Sequence, residues 1–224
     1  MVKHGGPMHA AVQLPWRVQL MELREALTKI AEIRLQMART EVFRGYRAVP
    51  VAFSGLLALG AAIVQSVWIA DPLQNIAAYL TLWVGAAVLS AVAAGIEMVM
   101  RSLNQGTALT REITWLAVGQ FLPCLVAGGL VTGALALFAP EALWILPGVW
   151  QVLFSLGIFA SYRLLPRATF GVAVFYLASG VVCLAAARGD AALSPWAMGV
   201  PFGAGQLYAA AVLYWTLERG HDEP

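Results

Sequence analysis

Ionisable side chains are almost missing from the long apolar stretches of this sequence. Lys, Arg, Asp and Glu make up 12% of its 224 residues against 60% hydrophobic ones, and the mean hydropathy is +0.74, far outside the range of chains that fold in water. Glu97 is the one acid within a long apolar run, and no Asp, Lys, Arg or His lies near the centre of any. His4, His9 and His221 all stand outside these runs. No imidazole is therefore placed to ligate haem, copper or zinc inside a membrane, and the sequence predicts neither cofactor nor metal. Cysteine is scarce too: Cys124 and Cys183 sit in apolar runs as small hydrophobes, with no disulfide framework and no C-x-x-C spacing. H-E-x-x-H, G-x-S-x-G, G-x-x-x-x-G-K-[ST] and paired intramembrane Asp are absent, so the expectation is a protein that is not an enzyme. A net charge of +2 is too small to point to nucleic acid. The first forty residues lack the short apolar core and small-residue site of a cleaved leader.

What the chain does have is length in its apolar runs. Crossing about 30 Å of hydrocarbon takes roughly 20 helical residues, and six stretches meet that: 48–70, 76–100, 113–138, 142–162, 168–187 and 195–217. The connections are short, which makes successive helices antiparallel neighbours. The expected fold is an all-α bundle of six transmembrane helices over 48–217, preceded by a disordered stretch at 1–15 and an amphipathic helix at 16–47, and followed by a tail at 218–224.

Positive charge sets the orientation, because cytoplasmic loops retain Lys and Arg during insertion. Of the 14 such residues, all but Arg188 fall before the first span, in the second and fourth connections, or after the last span. This predicts a multi-pass protein of the bacterial inner membrane with both termini cytoplasmic. Trp68, Tyr79, Trp144 and Trp196 at one set of span ends, and Trp115, Tyr162, Tyr214 and Trp215 at the other, read as headgroup-level anchors.

The segment from Trp16 to Phe43 is charged and amphipathic, with Pro15 at a first-turn position and Glu25 paired to Lys29 at i,i+4. Leu20, Leu23, Leu27, Ile30 and Met37 form its apolar face. Such a face seeks the lipid bilayer surface, a protein partner or its own copy.

Inside the spans, polar groups are the functional candidates. Glu97 and Arg101, at i,i+4, read as an interfacial ion pair. Gln151, Tyr176 and Gln206 lie near the midplane, with Gln65, Gln120 and Tyr208 at other depths. Interhelical hydrogen bonding is the ordinary use of such residues. Gly199, Pro201, Gly203 and Gly205 interrupt the last span just before Gln206, and binding sites in membrane bundles occur at breaks of this kind. The candidate ligand site is therefore Gln151, Tyr176, Gln206, Gly203 and Gly205. Gly129 with Gly133, Ser54 with Ala58, and Ala91 with Gly95 read as packing faces for close helix approach.

The run Leu146-Pro147-Gly148-Val149-Trp150, the glycine-interrupted last span and the entry Glu41-Val42-Phe43-Arg44-Gly45-Tyr46-Arg47-Ala48-Val49-Pro50 resemble a group of uncharacterised six-span bacterial inner-membrane proteins. These are often encoded beside winged-helix transcription regulators, and the resemblance implies a sensory or regulatory partnership. Some of them carry a His near the last-span glycines, where Gln206 stands here.

The leading expectation is a non-enzymatic membrane module acting as sensor, scaffold or accessory subunit through its N-terminal helix. The alternative is a carrier or binding protein for a small neutral or lipophilic ligand at a midplane site beside the last helix.

Overall fold

The computed structural model describes Lys29 and residues 48–105 and 108–218, with the side chains of 101–114, 117, 190, 217 and 218 not included. The apolar face Leu20, Leu23, Leu27, Ile30 and Met37 and the side chain of Arg101 lie outside the described residues. From residue 48 on, six α-helices follow one another among the described residues: α1 Ala48–Trp68, α2 Ile76–Gln105, α3 Ala108–Phe138, α4 Leu146–Ser161, α5 Thr169–Ala186 and α6 Pro195–Leu213. Short 3-10 turns at Pro140–Ile145, Tyr162–Leu164 and Gly189–Ala191 join them, and Tyr214–Glu218 closes α6 with a wider π turn. Among the described residues there is no strand. Only a helix satisfies every backbone N–H and C=O within its own segment, which is what a chain in hydrocarbon requires.

The helix boundaries follow from local chemistry. The Asp71 carboxylate accepts from the amides of Leu73 and Gln74 at 3.1 and 3.2 Å, and Asn75 Oδ1 accepts from the Ala78 amide at 3.3 Å, so the two residues turn the chain and cap α2. Proline occupies the first turn of α4 and of α6, where its missing N–H has no helical role. Beyond α5, Gly189 takes φ +59°, a left-handed conformation that side-chain-bearing residues avoid.

Among the described residues, five helical stretches are long and apolar enough to cross a membrane: Ala48–Trp68, Ile76–Met100, Val118–Phe138, Pro140–Leu164 and Thr169–Ala186. The protein is thus an all-α, membrane-embedded bundle. Helix α6 has the length, at 19 residues, but its glycines, prolines and Gln206 lower its hydropathy.

Two helix pairs form the centre, α1 along α6 and α4 along α5. Both pairs rely on missing side chains. A Cβ on Gly199 would collide with the Ala62 methyl, and a Cβ on Gly180 would stand 2.9 Å from the Gly148 carbonyl oxygen. Backbones can approach that closely only without a Cβ, and dispersion contacts along the seam then replace the hydrophobic effect that a bilayer does not supply. The other two helices are peripheral. α2 buries Tyr79 and Trp83 against α1, whereas Val88, Val92, Ile96 and Val99 further along are about half exposed. None of the most apolar stretch of α3 is buried.

Three expectations are corrected. α6 is one continuous helix through Pro201; its glycines are a packing surface rather than a break. Beyond Gly95, Gly129 and Gly133 no described residue lies within 4 Å, so those positions are not seams among the described residues. Tyr79 is completely buried, because it points into the bundle and not toward headgroups.

Candidate functional site

Two buried carboxamides, Gln65 and Gln151, lie toward the end of the bundle where residues 69–75 and 187–194 connect helices. Gln65, in the last turn of α1, is completely buried. Its Oε1 accepts from Trp83 Nε1 of α2 at 2.7 Å, and its Nε2 donates to the Leu193 carbonyl at 2.7 Å. One carboxamide thereby ties α1, α2 and the entrance to α6. Around it, Ala58, Ala62, Tyr79, Leu193 and Met198 form an apolar cluster, with Trp150 and Phe202 packed against it.

Gln151, also completely buried, makes the corresponding link from α4. Its Nε2 donates to Pro147 O within its own helix and to Ala197 O of α6, both at 3.0 Å. Ala197 stands four residues before Pro201, so its carbonyl is the one that Pro201, lacking an N–H, leaves without a helical donor. The Gln151 amide supplies that donor from the neighbouring helix. Two polar atoms in this region have no hydrogen-bond partner among the described residues, Gln151 Oε1 and the Tyr79 hydroxyl.

A second, largely aromatic cluster joins α3, α4, α5 and α6. Phe154 stacks edge-on to Phe121 and Tyr176, at centroid distances of 5.2 and 4.8 Å, and Tyr176 packs on Phe202 at 5.4 Å. The Tyr176 hydroxyl donates to Phe202 O at 3.4 Å, and its ring occupies the space that a Cβ on Gly205 would need. Gly203 is covered by Leu59. Gln206 is half-buried with its Cβ against Gly55 of α1.

The five candidate ligand residues therefore fall into separate places. Tyr176 and Gly205 are brought together, whereas Gly203 and Gln206 face α1. Gln151 stands at the level of Ala197, nine residues before Gln206 and about 13 Å away along a helix axis. Glu97 is half-buried on α2. Sequence reasoning named Gln65 only as a polar residue at another depth and Tyr79 as a headgroup anchor, and placed neither in the candidate site. One signal pointed to their region: a proline at 201 orphans a carbonyl at 197, which in an apolar setting demands a donor at the same depth.

Among the described residues no group of three His, Cys, Asp or Glu is placed to hold a metal ion. At the connecting end, Arg188 lies over the Trp144 ring at 5.9 Å from its centroid, a cation–π contact. Comparison of the chain with protein families, with curated proteins and with solved structures gives no match.

Proposed function

We propose that this chain is a six-span, non-enzymatic protein of the bacterial inner membrane, with both termini cytoplasmic, that binds a small neutral or lipophilic molecule inside its bundle. The sixth span is supported by α6, whose 19 residues make about 28 Å of helix, close to the hydrocarbon thickness. The orientation is supported by the placement of 13 of the 14 Lys and Arg residues on one side, with Arg188 alone on the other.

The binding reading is carried by one observation: Gln151 Oε1 and the Tyr79 hydroxyl are buried in the bundle with no hydrogen-bond partner among the described residues. Native proteins rarely leave such atoms unpaired, and hydrocarbon offers no water to satisfy them. Native mass spectrometry of the full chain released from its own membranes tests this. A neutral adduct that Gln151→Leu removes is the expected result; a bare protein mass at every collision energy overturns the reading.

A second reading, a sensor, scaffold or accessory subunit docking through residues 16–43, is favoured by the periphery of the bundle, where α2 and α3 bury little of their apolar surface. Removal of residues 1–40 should then release a co-purifying membrane partner or dissociate a homo-oligomer. An unchanged assembly mass argues against that role.

A further inference from the structure

A proline inside a helix leaves the carbonyl four residues earlier without its helical donor, and the chain has such prolines at 201 in α6 and at 123 in α3. At Pro201 the freed carbonyl, Ala197 O, receives Gln151 Nε2 from α4. At Pro123 the freed carbonyl is Gly119 O. Helix α3 meets α4 through Phe121, edge-on to Phe154, through Gly128, whose Cβ position stands 3.8 Å from Leu153, and through Thr132, which accepts from Trp150 Nε1 at 2.9 Å. At about 100° per residue, Gly119 and Pro123 fall about 160° round the helix from Phe121. Both are exposed, and no neighbouring element among the described residues comes within 4 Å of the Gly119 Cβ position. The freed carbonyl thus lies on the side of α3 turned away from its own bundle. Beside it stands Gln120, also exposed and joined by no hydrogen bond to another described residue, although its carboxamide carries two amide hydrogens. Both residues belong to the apolar stretch Val118–Phe138, and Gln120 is about 8 Å further into the span than Trp115. An unpaired acceptor and an unpaired donor, one residue apart on a lipid-facing surface, each cost free energy in hydrocarbon.

We propose that this face of α3 is the interface of a parallel homodimer, in which Gln120 of each copy donates to Gly119 O of the other. Two copies inserted the same way and related by a two-fold axis along the membrane normal set equal residues at equal depth and make every contact twice. Gln120 and Gly119 are one residue apart, about 1.5 Å of rise, so the donor of one copy stands level with the acceptor of the other in both directions. Gly119 has no side chain to hold the two backbones apart, and Ala127, two turns beyond Gln120 on the same flank, is small as well. A lipid chain has no hydrogen to donate. A different protein would need its own donor and acceptor at this one level, whereas a second copy brings both by symmetry. The bond between copies repeats what Gln151 does for Ala197 within one. None of this depends on a ligand inside the bundle.

The test uses the full chain, labelled at its C-terminus with donor or acceptor dye and reconstituted at graded protein-to-lipid ratios in phosphatidylethanolamine and phosphatidylglycerol vesicles. Energy transfer should follow a monomer–dimer equilibrium, and Gln120→Leu should weaken it roughly tenfold, the loss of two interhelical hydrogen bonds. That variant keeps its fold, because Gln120 bonds to nothing described in its own chain and leucine suits a lipid-facing position. Pro123→Ala returns an N–H to Gly119 O, so Gln120→Leu should matter far less in that background. Cross-linking locates the face. In a chain carrying Cys124→Ala and Cys183→Ala, Leu116→Cys, one turn from Gln120, should form a disulfide between copies under copper phenanthroline, and Leu122→Cys, on the opposite flank of α3, should not. Energy transfer no higher than random proximity at every density overturns the dimer, as does a dimer whose dissociation Gln120→Leu leaves unchanged. An equal loss with and without Pro123 removes Gly119 O as the acceptor. Cross-linking at position 122 in preference to 116 overturns the assigned face.

Discussion

The Gln151 carboxamide donates to the Ala197 carbonyl at 3.0 Å, and Ala197 is the residue that Pro201 deprives of its helical donor. A side chain on one helix thus completes the backbone of another. Gln151→Leu should destabilise the protein by about 1–3 kcal/mol, the penalty for a buried acceptor left unpaired. Pro201→Ala restores an N–H at position 201, so the same Gln151→Leu change should cost less in that background. Unfolding in mixed micelles, run as a double-mutant cycle, gives the coupling; equal costs in both backgrounds would show that Ala197 draws nothing from Gln151.

The seam between α1 and α6 yields a prediction about volume. Gly199→Ala places a methyl against Ala62 and should destabilise by about 1–3 kcal/mol through overpacking. Ala62→Gly removes the opposing methyl, and the double variant should recover much of the loss. If Gly199→Ala alone melts like the parent protein, the two helices are not in contact there.

Gly129 and Gly133 provide the contrast. With no described residue within 4 Å of either Cβ position, alanine at either should leave stability unchanged or raise it by up to about 1 kcal/mol, the helix-propensity difference between the two residues. Thermal melts of the purified chain check this, and a fall in melting temperature would mean that α3 packs against a surface other than lipid.

The Gln65 node predicts non-additivity. Trp83→Phe removes the donor to Gln65 Oε1 and should cost about 1–3 kcal/mol. Gln65→Leu strips the Leu193 carbonyl and Trp83 Nε1 together. In the double variant the cost should be clearly below the sum of the two, as for residues within one network; simple addition would place Trp83 and Gln65 in separate interactions.

The helices were legible because the cost of an unpaired peptide group in hydrocarbon leaves apolar runs of about 20 residues no other structure. The runs at 48–70, 76–100 and 168–187 accordingly match α1, the apolar part of α2 and α5 within a few residues. Facing was less legible. Tyr79 lies near a span end, which suggests a headgroup anchor, yet it is buried; linear position records depth but not rotation about the helix axis. The glycines of α6 were misleading for a related reason. Their low helix propensity suggests a break, but intrahelical hydrogen bonds are favoured so strongly in an apolar medium that the helix continues, and the missing side chains serve contact with Ala62 and Leu59 instead. The candidate site was half legible: Gln151 was singled out, but its partner is a backbone carbonyl, exposed only through the proline four residues later.

The pairing of α1 with α6 also has a consequence for biosynthesis. α1 leaves the ribosome well before α6, and at ordinary translation rates the interval is on the order of ten seconds. During that time the small-residue groove of α1 stays open to lipid or to an insertion factor. Correct assembly then depends on whatever shields Ala58 and Ala62 until Gly199 and Gly203 arrive.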